Sequence, residues 1–154
     1  MLEKAPFGGI MLVGENGAGK SSLICALTDG GYVPKKVVAL DYYKGFINSP
    51  SEFLERKWAR RYLIVSSGEC GTILFLQNAI RKSCQIPPSF TTMFNRRILG
   101  VITMIDRPEA NLERAERFLR HAGVTEIFPV SVVTGEGLPE LRAALDLPAN
   151  ADIG

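Results

Sequence analysis

The residues with the clearest chemical meaning lie between positions 14 and 21. There the sequence fits G-x-x-x-x-G-K-[ST], whose glycines let the backbone curl so that successive N–H groups point at phosphate oxygens. Lys20 would bridge the β- and γ-phosphates in a catalytic role, and the Ser21 hydroxyl would ligate Mg²⁺. The predicted phosphate-binding residues are Gly14, Glu15, Asn16, Gly17, Ala18, Gly19, Lys20, Ser21 and Ser22. The alternative is an ordinary glycine-rich turn between a strand and a helix.

This motif needs a strand before it and a helix after it, and the flanking sequence has that pattern. The apolar run at 10–13 predicts a buried strand, and residues 20–28 place their apolar side chains on one face of a helix. Further strands are predicted at 37–40, 42–48, 72–76, 98–103 and 127–130, and further amphipathic helices at 51–62, 112–122 and 138–145. The alternation predicts an α/β fold with three layers, in which helices flank a mostly parallel sheet on both faces.

Composition excludes several classes of protein. The 154 residues carry 18 Lys+Arg and 16 Asp+Glu, and a net charge of +2 argues against a dedicated nucleic-acid binder. Three widely spaced cysteines without a C-x-x-C pair argue against a zinc site or disulfide framework and fit a reducing cytoplasm. No apolar run reaches membrane-spanning length, and residues 1–7 are too short for a signal peptide. We expect one domain over 1–148 and a flexible tail over 149–154.

Segments outside the phosphate motif resemble one family. Residues 48–53 (N-S-P-S-E-F) stand where that family has D-T-P-G-E-Y, and residues 87–95 (P-P-S-F-T-T-M-F-N) resemble a family segment that is not generic to GTPases. Over roughly residues 9–145 the chain is similar to the EutP/PduV proteins of bacterial ethanolamine and propanediol utilisation operons, as a divergent member. The resemblance implies a Ras-like P-loop NTPase fold, GTP or GDP as ligand, and a cytoplasmic setting near a bacterial microcompartment.

The same resemblance implies a site for the guanine base. Residues 103–106 (T-M-I-D) match the base-recognition position, and residues 131–138 resemble the last guanine-site loop. The Asp106 carboxylate would accept hydrogen bonds from the N1–H and N2–H₂ edge of guanine, a pair of donors that adenine lacks. The other implied contacts are Thr103, Ser131 and Val132. Met104 replaces the usual lysine, which predicts weaker affinity, and the alternative for Asp106 is a helix-capping residue.

The part of the site that the resemblance implies for Mg²⁺, here called the metal side, departs from the family pattern. Asn48 stands at the position of an aspartate, Val37 at that of a threonine, and Ser51 at that of a glycine. These changes remove a carboxylate near Mg²⁺, a hydroxyl that closes over the γ-phosphate, and a flexible backbone position. We therefore expect weak Mg²⁺ binding and slow or absent GTP hydrolysis. Glu52 either orients a water molecule or is an acidic residue favoured in the first turn of a helix.

Two classes of function remain open at this point. The phosphate motif and Asp106 favour a GTPase-like nucleotide-binding protein, whereas the altered metal side favours a non-enzymatic scaffold that docks a microcompartment shell or lumen protein. A small P-loop kinase is disfavoured because no arginine-rich lid stands out. A basic cluster on the predicted helix at 51–62 consists of Arg56, Lys57, Arg60 and Arg61. We interpret it as a solvated face with Trp58 and Tyr62 packed inward, with a surface for a nucleic acid or an acidic partner as the alternative.

Overall fold

The structure is a computed structural model that describes residues 8–147. Its strands are β1 (Ile10–Val13), β2 (Asp41–Tyr43), β3 (Phe46–Asn48), β4 (Thr72–Asn78), β5 (Arg97–Thr103) and β6 (Glu126–Pro129). Its α-helices are α1 (Lys20–Leu27), α2 (Ser51–Glu55), α3 (Arg60–Ser66), α4 (Leu112–His121) and α5 (Leu138–Ala144). The predicted tail at 149–154 lies outside the described residues, and the single-domain boundary at 148 stays a prediction.

The strands form one six-stranded sheet in the order β2-β3-β1-β4-β5-β6. Only β2 runs antiparallel, to its neighbour β3, and the other pairs are parallel. The carboxyl ends of β1, β3, β4 and β5 therefore meet at one edge, where ligands bind in open α/β sheets. The predicted fold class, a mostly parallel sheet flanked by helices, is confirmed.

Alternate residues of the central strands feed two separate cores. Met11 and Val13 of β1 face the core shared with α3 and α4, which includes Leu63 and Leu119. The neighbouring residues of β1 face the opposite core, which α1 and α5 cover. A strand that is buried on both faces is apolar throughout, which is why the short run at 10–13 is so clear in the sequence. This packing fixes the end of β1, from which the phosphate motif departs.

The prediction of a strand at 37–40 is wrong, and so is that of a single strand at 42–48. Val38 is 82% exposed and no strand is present at 37–40. The chain instead forms a hairpin of β2 and β3, in which Lys44 and Gly45 both have positive φ. Two successive residues with positive φ make the tight turn that matches the twist of a hairpin. Residues 34–37 are consequently free to lie against the phosphate motif.

The prediction of one continuous helix at 51–62 is also wrong. The chain becomes extended at Arg56, and a 3₁₀ turn (Lys57–Ala59) separates α2 from α3. The side chain of Arg60 donates to the Leu54 carbonyl at 2.7 Å, which replaces the backbone bond that a continuous helix would form there. This break carries Trp58 outward, with 65% of its surface exposed.

The connection between β4 and β5 has a 3₁₀ turn (Phe90–Met93) and no α-helix among its residues 79–96, all of which the structure describes. Phe90 stacks on Phe75 of β4 with ring centroids 5.8 Å apart, and Phe94 lies edge-on to both rings. The aromatic side chains cover this part of the sheet in place of a helix. The segment at 87–95 is therefore a packing element in this chain.

Candidate nucleotide-binding site

The phosphate loop, residues 14–21, curls between the end of β1 and the start of α1. Gly17 and Gly19 have φ values of +83° and +95°, a region that favours glycine. A Cβ atom on Gly14 would lie 2.9 Å from the Cβ of Ala18 and 3.3 Å from the Leu76 carbonyl oxygen. The glycines of the motif are therefore required by backbone conformation and by close packing.

The carbonyl oxygens of the phosphate loop are held by the rest of the protein. Thr103 donates its hydroxyl to the Ala18 carbonyl at 2.7 Å, and Asn78 donates its amide to the Gly17 carbonyl at 3.1 Å. Among the described residues, no protein acceptor faces the backbone N–H groups of Gly17, Gly19, Lys20 and Ser21. With its carbonyls tethered, the loop presents N–H groups together with the N-terminus of α1, which is an anion-binding arrangement.

Lys20 lies across the phosphate loop and is 8% exposed. Its Nζ donates to the Gly14 carbonyl at 2.8 Å, to the Glu15 carbonyl at 3.2 Å and to the Ser51 hydroxyl at 3.0 Å. Burial lowers the pKa of Lys20 to about 8, although the nearby Glu55 and Glu15 carboxylates oppose that shift. The Ser51 hydroxyl thus occupies a lysine N–H that a phosphate would otherwise take.

The backbone of Glu15 is part of the phosphate loop, whereas its side chain points to Arg81 in the connection that follows β4. The carboxylate is buried and forms an ion pair with the guanidinium of Arg81. Burial raises the pKa of Glu15, and Arg81 works against that shift. The side chain of this predicted site residue therefore stabilises the phosphate loop by its contact with Arg81, and it does not face the cleft. Ser22, the last predicted contact, lines the cleft at the first turn of α1.

A polar cleft of about 360 Å³ lies over the phosphate loop. Residues 34–37, Asn48 and Ser51 line it together with the phosphate loop. Val37 thus lies at the cleft, although it offers no hydroxyl there. The structure brings this connection, the start of α2 and the phosphate loop together, as a nucleotide site requires.

The hydroxyl groups of Ser21 and Tyr32 belong to one hydrogen-bond network, in which the Asn48 amide connects them. Ser21 donates to the Lys35 carbonyl at 2.5 Å, and Tyr32 donates to Asp41 at 2.5 Å. Asn48 then donates both amide hydrogens, to Ser21 at 2.8 Å and to Tyr32 at 3.1 Å. Burial, followed by the hydrogen bond to Asp41, raises the pKa of Tyr32 to about 12. A donor amide therefore faces the predicted metal ligand.

The donor set at Ser21 fits Mg²⁺ poorly. No group of three or more His, Cys, Asp or Glu side chains that could hold a metal is present in residues 8–147. The Oδ1 atom of Asn48 is buried and accepts no hydrogen bond from the described residues, but Nδ2 is the atom that contacts Ser21. Magnesium prefers oxygen ligands, especially carboxylates, so any ion here would depend on Ser21 and on the phosphates of the nucleotide itself.

Beyond the end of β5, Asp106 and residues 131–134 come together. Ser131 is fully buried and donates its hydroxyl to the Asp106 carboxylate at 2.8 Å. The same hydroxyl accepts from the backbone N–H groups of Val133 and Thr134 at 3.2 and 3.1 Å. Val132 is 38% exposed beside them. This arrangement fixes one carboxylate oxygen and leaves the other for a ligand.

The alternative role of Asp106 as a helix cap is wrong. Helix α4 begins at Leu112, and the side chain of Asn111 accepts from the Arg114 N–H at 3.0 Å as its cap. Thr103, also predicted as a nucleotide contact, is buried behind the phosphate loop and acts on it through Ala18. Met104 between them has a φ of +62°, an uncommon conformation for a residue with a side chain.

Some residues of the site carry no motif in the sequence. Asn78 donates to the Gly17 carbonyl of the phosphate loop, and Tyr32 accepts from Asn48 near the predicted metal ligand. Glu55 accepts from the Asn16 N–H at 2.6 Å. The only signal for Asn78 is its place at the end of a strand beside β1. Glu52, at the start of α2, has a buried Oε1 atom without a hydrogen bond among the described residues, so both of its predicted roles stay open.

The basic stretch after α2 differs from its prediction. Trp58 is 65% and Tyr62 39% exposed, so inward packing of these aromatic residues is wrong. Arg61 lies over the Tyr62 ring at 5.4 Å, and no ion pair joins Arg56 or Lys57 to a carboxylate in the described chain. The stretch therefore presents an exposed tryptophan beside cations that form no ion pair within the described residues.

No helix in residues 8–147 has the length and apolar character needed to span a membrane. Solved structures with this architecture are P-loop GTPase domains. The G domain of the FeoB iron transporter from T. maritima is 22% identical with a TM-score of 0.60, over 90% of this chain and 96% of that one. A probable GTP-binding protein, engB, is 17% identical with a TM-score of 0.64, over the same shares of the two chains. These likenesses establish the fold.

Sequence relatives narrow the assignment. The propanediol utilization protein PduV of Citrobacter freundii is 28% identical over 133 residues, which cover 86% of this chain and 89% of the relative. The family model described as ethanolamine utilisation - propanediol utilisation matches residues 8–147. Since that match spans the whole described chain, with the phosphate loop at its start and the Asp106 site within it, this chain belongs to the PduV-EutP family of ethanolamine and propanediol utilisation proteins.

Proposed function

We propose that this chain is a guanine-nucleotide-binding protein with slow or absent GTP hydrolysis. The observation that carries the proposal is the phosphate loop, whose carbonyls are tethered by Thr103, Asn78 and Lys20. The N–H groups of Gly17, Gly19, Lys20 and Ser21 have no acceptor within the described chain. Asp106, held by Ser131, supports guanine as the base. The nucleotide would lie with its phosphates on the loop and its base against Asp106.

Weak hydrolysis follows from the contacts on the metal side. Asn48 presents a donor to Ser21, and Ser51 takes one hydrogen bond of Lys20. GTP hydrolysis requires a neutralised γ-phosphate and a positioned water molecule, and both depend on groups at these positions. When bound, Mg²⁺ would supply charge neutralisation, with Ser21 as its protein ligand. The name of the PduV relative supports a role in propanediol utilisation, and our proposal places that role in the cytoplasm at a propanediol- or ethanolamine-type microcompartment.

Thermal melting with millimolar GDP, GTP or ATP, with and without Mg²⁺, tests this proposal. A ligand present at 100 times its Kd adds about 2.7 kcal/mol, which corresponds to a rise in Tm of roughly 5–10 °C for a chain of this length. We expect that rise with GDP, little change with ATP, and loss of the rise in Lys20→Gln. Substituting Val37→Thr, Asn48→Asp and Ser51→Gly together should increase turnover of GTP.

A second function, docking of a microcompartment shell or lumen protein without catalysis, is favoured by the exposed Trp58 among unpaired cations. Absence of a Tm shift with every nucleotide would support this function and refute nucleotide binding. The variant Trp58→Ala would then be expected to weaken association with the partner and leave the Tm within about 2 °C, because an exposed side chain contributes little to folding.

A further inference from the structure

We infer that Glu55 makes this cleft select a nucleoside diphosphate over a triphosphate, because its carboxylate occupies a phosphate-loop N–H that a third phosphate would need. The inference rests on the proposed function, since it assigns a selectivity to the same site. The contact that carries it joins the Asn16 backbone nitrogen and Glu55 Oε2 across 2.6 Å, and the two residues are 39 positions apart in the chain.

The N–H groups of the loop divide into two sets. Those of Gly17, Gly19, Lys20 and Ser21 lie at the start of α1 and have no protein acceptor among the described residues, whereas the Ala18 N–H donates to the Glu15 carbonyl at 3.0 Å. They form the binding site for the first two phosphates, because a helix N-terminus binds anions. Asn16 comes just before these residues in the chain, and it lines the cleft together with Lys20 and Ser51. A chain of three phosphates would extend past the free N–H groups to Asn16.

The Glu55 carboxylate competes with a third phosphate by two mechanisms. An N–H has one proton, so a phosphate oxygen can take the Asn16 N–H only if Glu55 leaves it, and a charge-assisted hydrogen bond is then broken. If Glu55 stays, two anions lie within a few ångströms of each other. Glu52 adds a second carboxylate on the same helix. One N–H of the Lys20 ammonium group already donates to Ser51. A diphosphate encounters neither obstacle.

Loss of one charge-assisted hydrogen bond corresponds to about a tenfold to a hundredfold change in affinity. We therefore expect the wild-type chain to bind GDP at least tenfold more tightly than a GTP analogue. The variant Glu55→Gln keeps an oxygen that can accept from Asn16 and removes the charge, so it should reduce this preference about tenfold. Glu55→Ala removes both the charge and the acceptor, so it should reduce the preference at least as far.

The experiment is calorimetric titration of the full-length chain with GDP and with the non-hydrolysable β,γ-imido analogue of GTP. Titrations are performed in EDTA, so that no divalent cation neutralises the third phosphate. Glu140→Gln is the matched control, because it removes the same charge from an exposed residue of α5. Helix α5 packs in the core on one face of the sheet and α2 in the core on the other. We expect the control to keep the wild-type ratio of the two dissociation constants.

The result that overturns the inference alone is normal GDP binding with equal affinity for the GTP analogue, or a ratio that Glu55→Gln and Glu55→Ala leave unchanged. Failure of the wild-type chain to bind either nucleotide refutes the proposed function and this inference with it. A ratio that falls in both Glu55 variants and persists in Glu140→Gln supports the inference. Because each ratio compares two ligands on one protein, a general loss of stability in a variant does not imitate this result.

Discussion

Asn48→Asp is expected to destabilise the protein when no divalent cation is present, although it introduces the carboxylate that the family resemblance implies at this position. Asn48 is 1% exposed and donates both amide hydrogens, to Ser21 and to Tyr32. These hydroxyl groups use their own protons elsewhere, on the Lys35 carbonyl and on Asp41. A carboxylate at position 48 would therefore face two oxygen atoms, and each hydroxyl would have to give up its present acceptor to pair with it.

The magnitude follows from these contacts. Loss of two buried hydrogen bonds and burial of an unpaired charge together cost about 2–4 kcal/mol. For a chain of this length, each kcal/mol changes Tm by about 2–4 °C, so the variant should melt roughly 5–15 °C below the wild type. Burial raises the pKa of a carboxyl group, so the deficit should shrink as the pH falls and the introduced aspartate becomes neutral.

Differential scanning calorimetry in EDTA, and again with GDP and Mg²⁺, measures this effect. The introduced carboxylate is a good magnesium ligand, so added Mg²⁺ and GDP should recover most of the lost Tm in Asn48→Asp and less in the wild type. Asn95→Asp is the control, because Asn95 is exposed and the chemical change is identical. A variant that melts with the wild type in EDTA would show that Asn48 is not the donor in these hydrogen bonds.

Three further outcomes are expected. Thr103→Val removes the hydroxyl that holds the Ala18 carbonyl, which should lower the free energy of unfolding by about 1–3 kcal/mol and weaken GDP binding; an unchanged urea midpoint would contradict this tether. Because the pKa of Lys20 is lowered to about 8, GDP affinity should be steady below that pH and fall above it by up to tenfold per pH unit, whereas Lys20→Arg should flatten the profile in the same titrations. Asp106→Asn replaces one acceptor oxygen of the side chain with a donor NH₂ group, so it should shift the preference from GDP to xanthosine diphosphate in competition assays. GDP binding within twofold of the wild type would eliminate Asp106 as the base contact.

The errors in the predicted fold have identifiable causes. Residues 37–40 have the apolar, β-branched composition of a strand, but β3 pairs with residues 41–43, because Lys44 and Gly45 form the turn there. The amphipathic pattern at 51–62 continues through the break at Arg56, since the pattern depends on side-chain type and the break depends on a tertiary hydrogen bond from Arg60 to Leu54. Local composition could not reveal the pairing of residues 41–43 with β3, nor the hydrogen bond from Arg60 to Leu54.

The amino-acid sequence by itself determined the phosphate loop, because the conformation of residues 14–21 depends on glycines, a lysine and a helix start that are contiguous in the chain. It also determined the fold class, because strands that are buried on both faces must be apolar along their whole length. Only the tertiary structure decided which side chains act on the loop. Thr103 reaches Ala18 across 85 positions, and Glu55 reaches Asn16 across 39. Such hydrogen bonds depend on distances of about 3 Å between residues that only the packed sheet and helices bring together, and no local pattern encodes them.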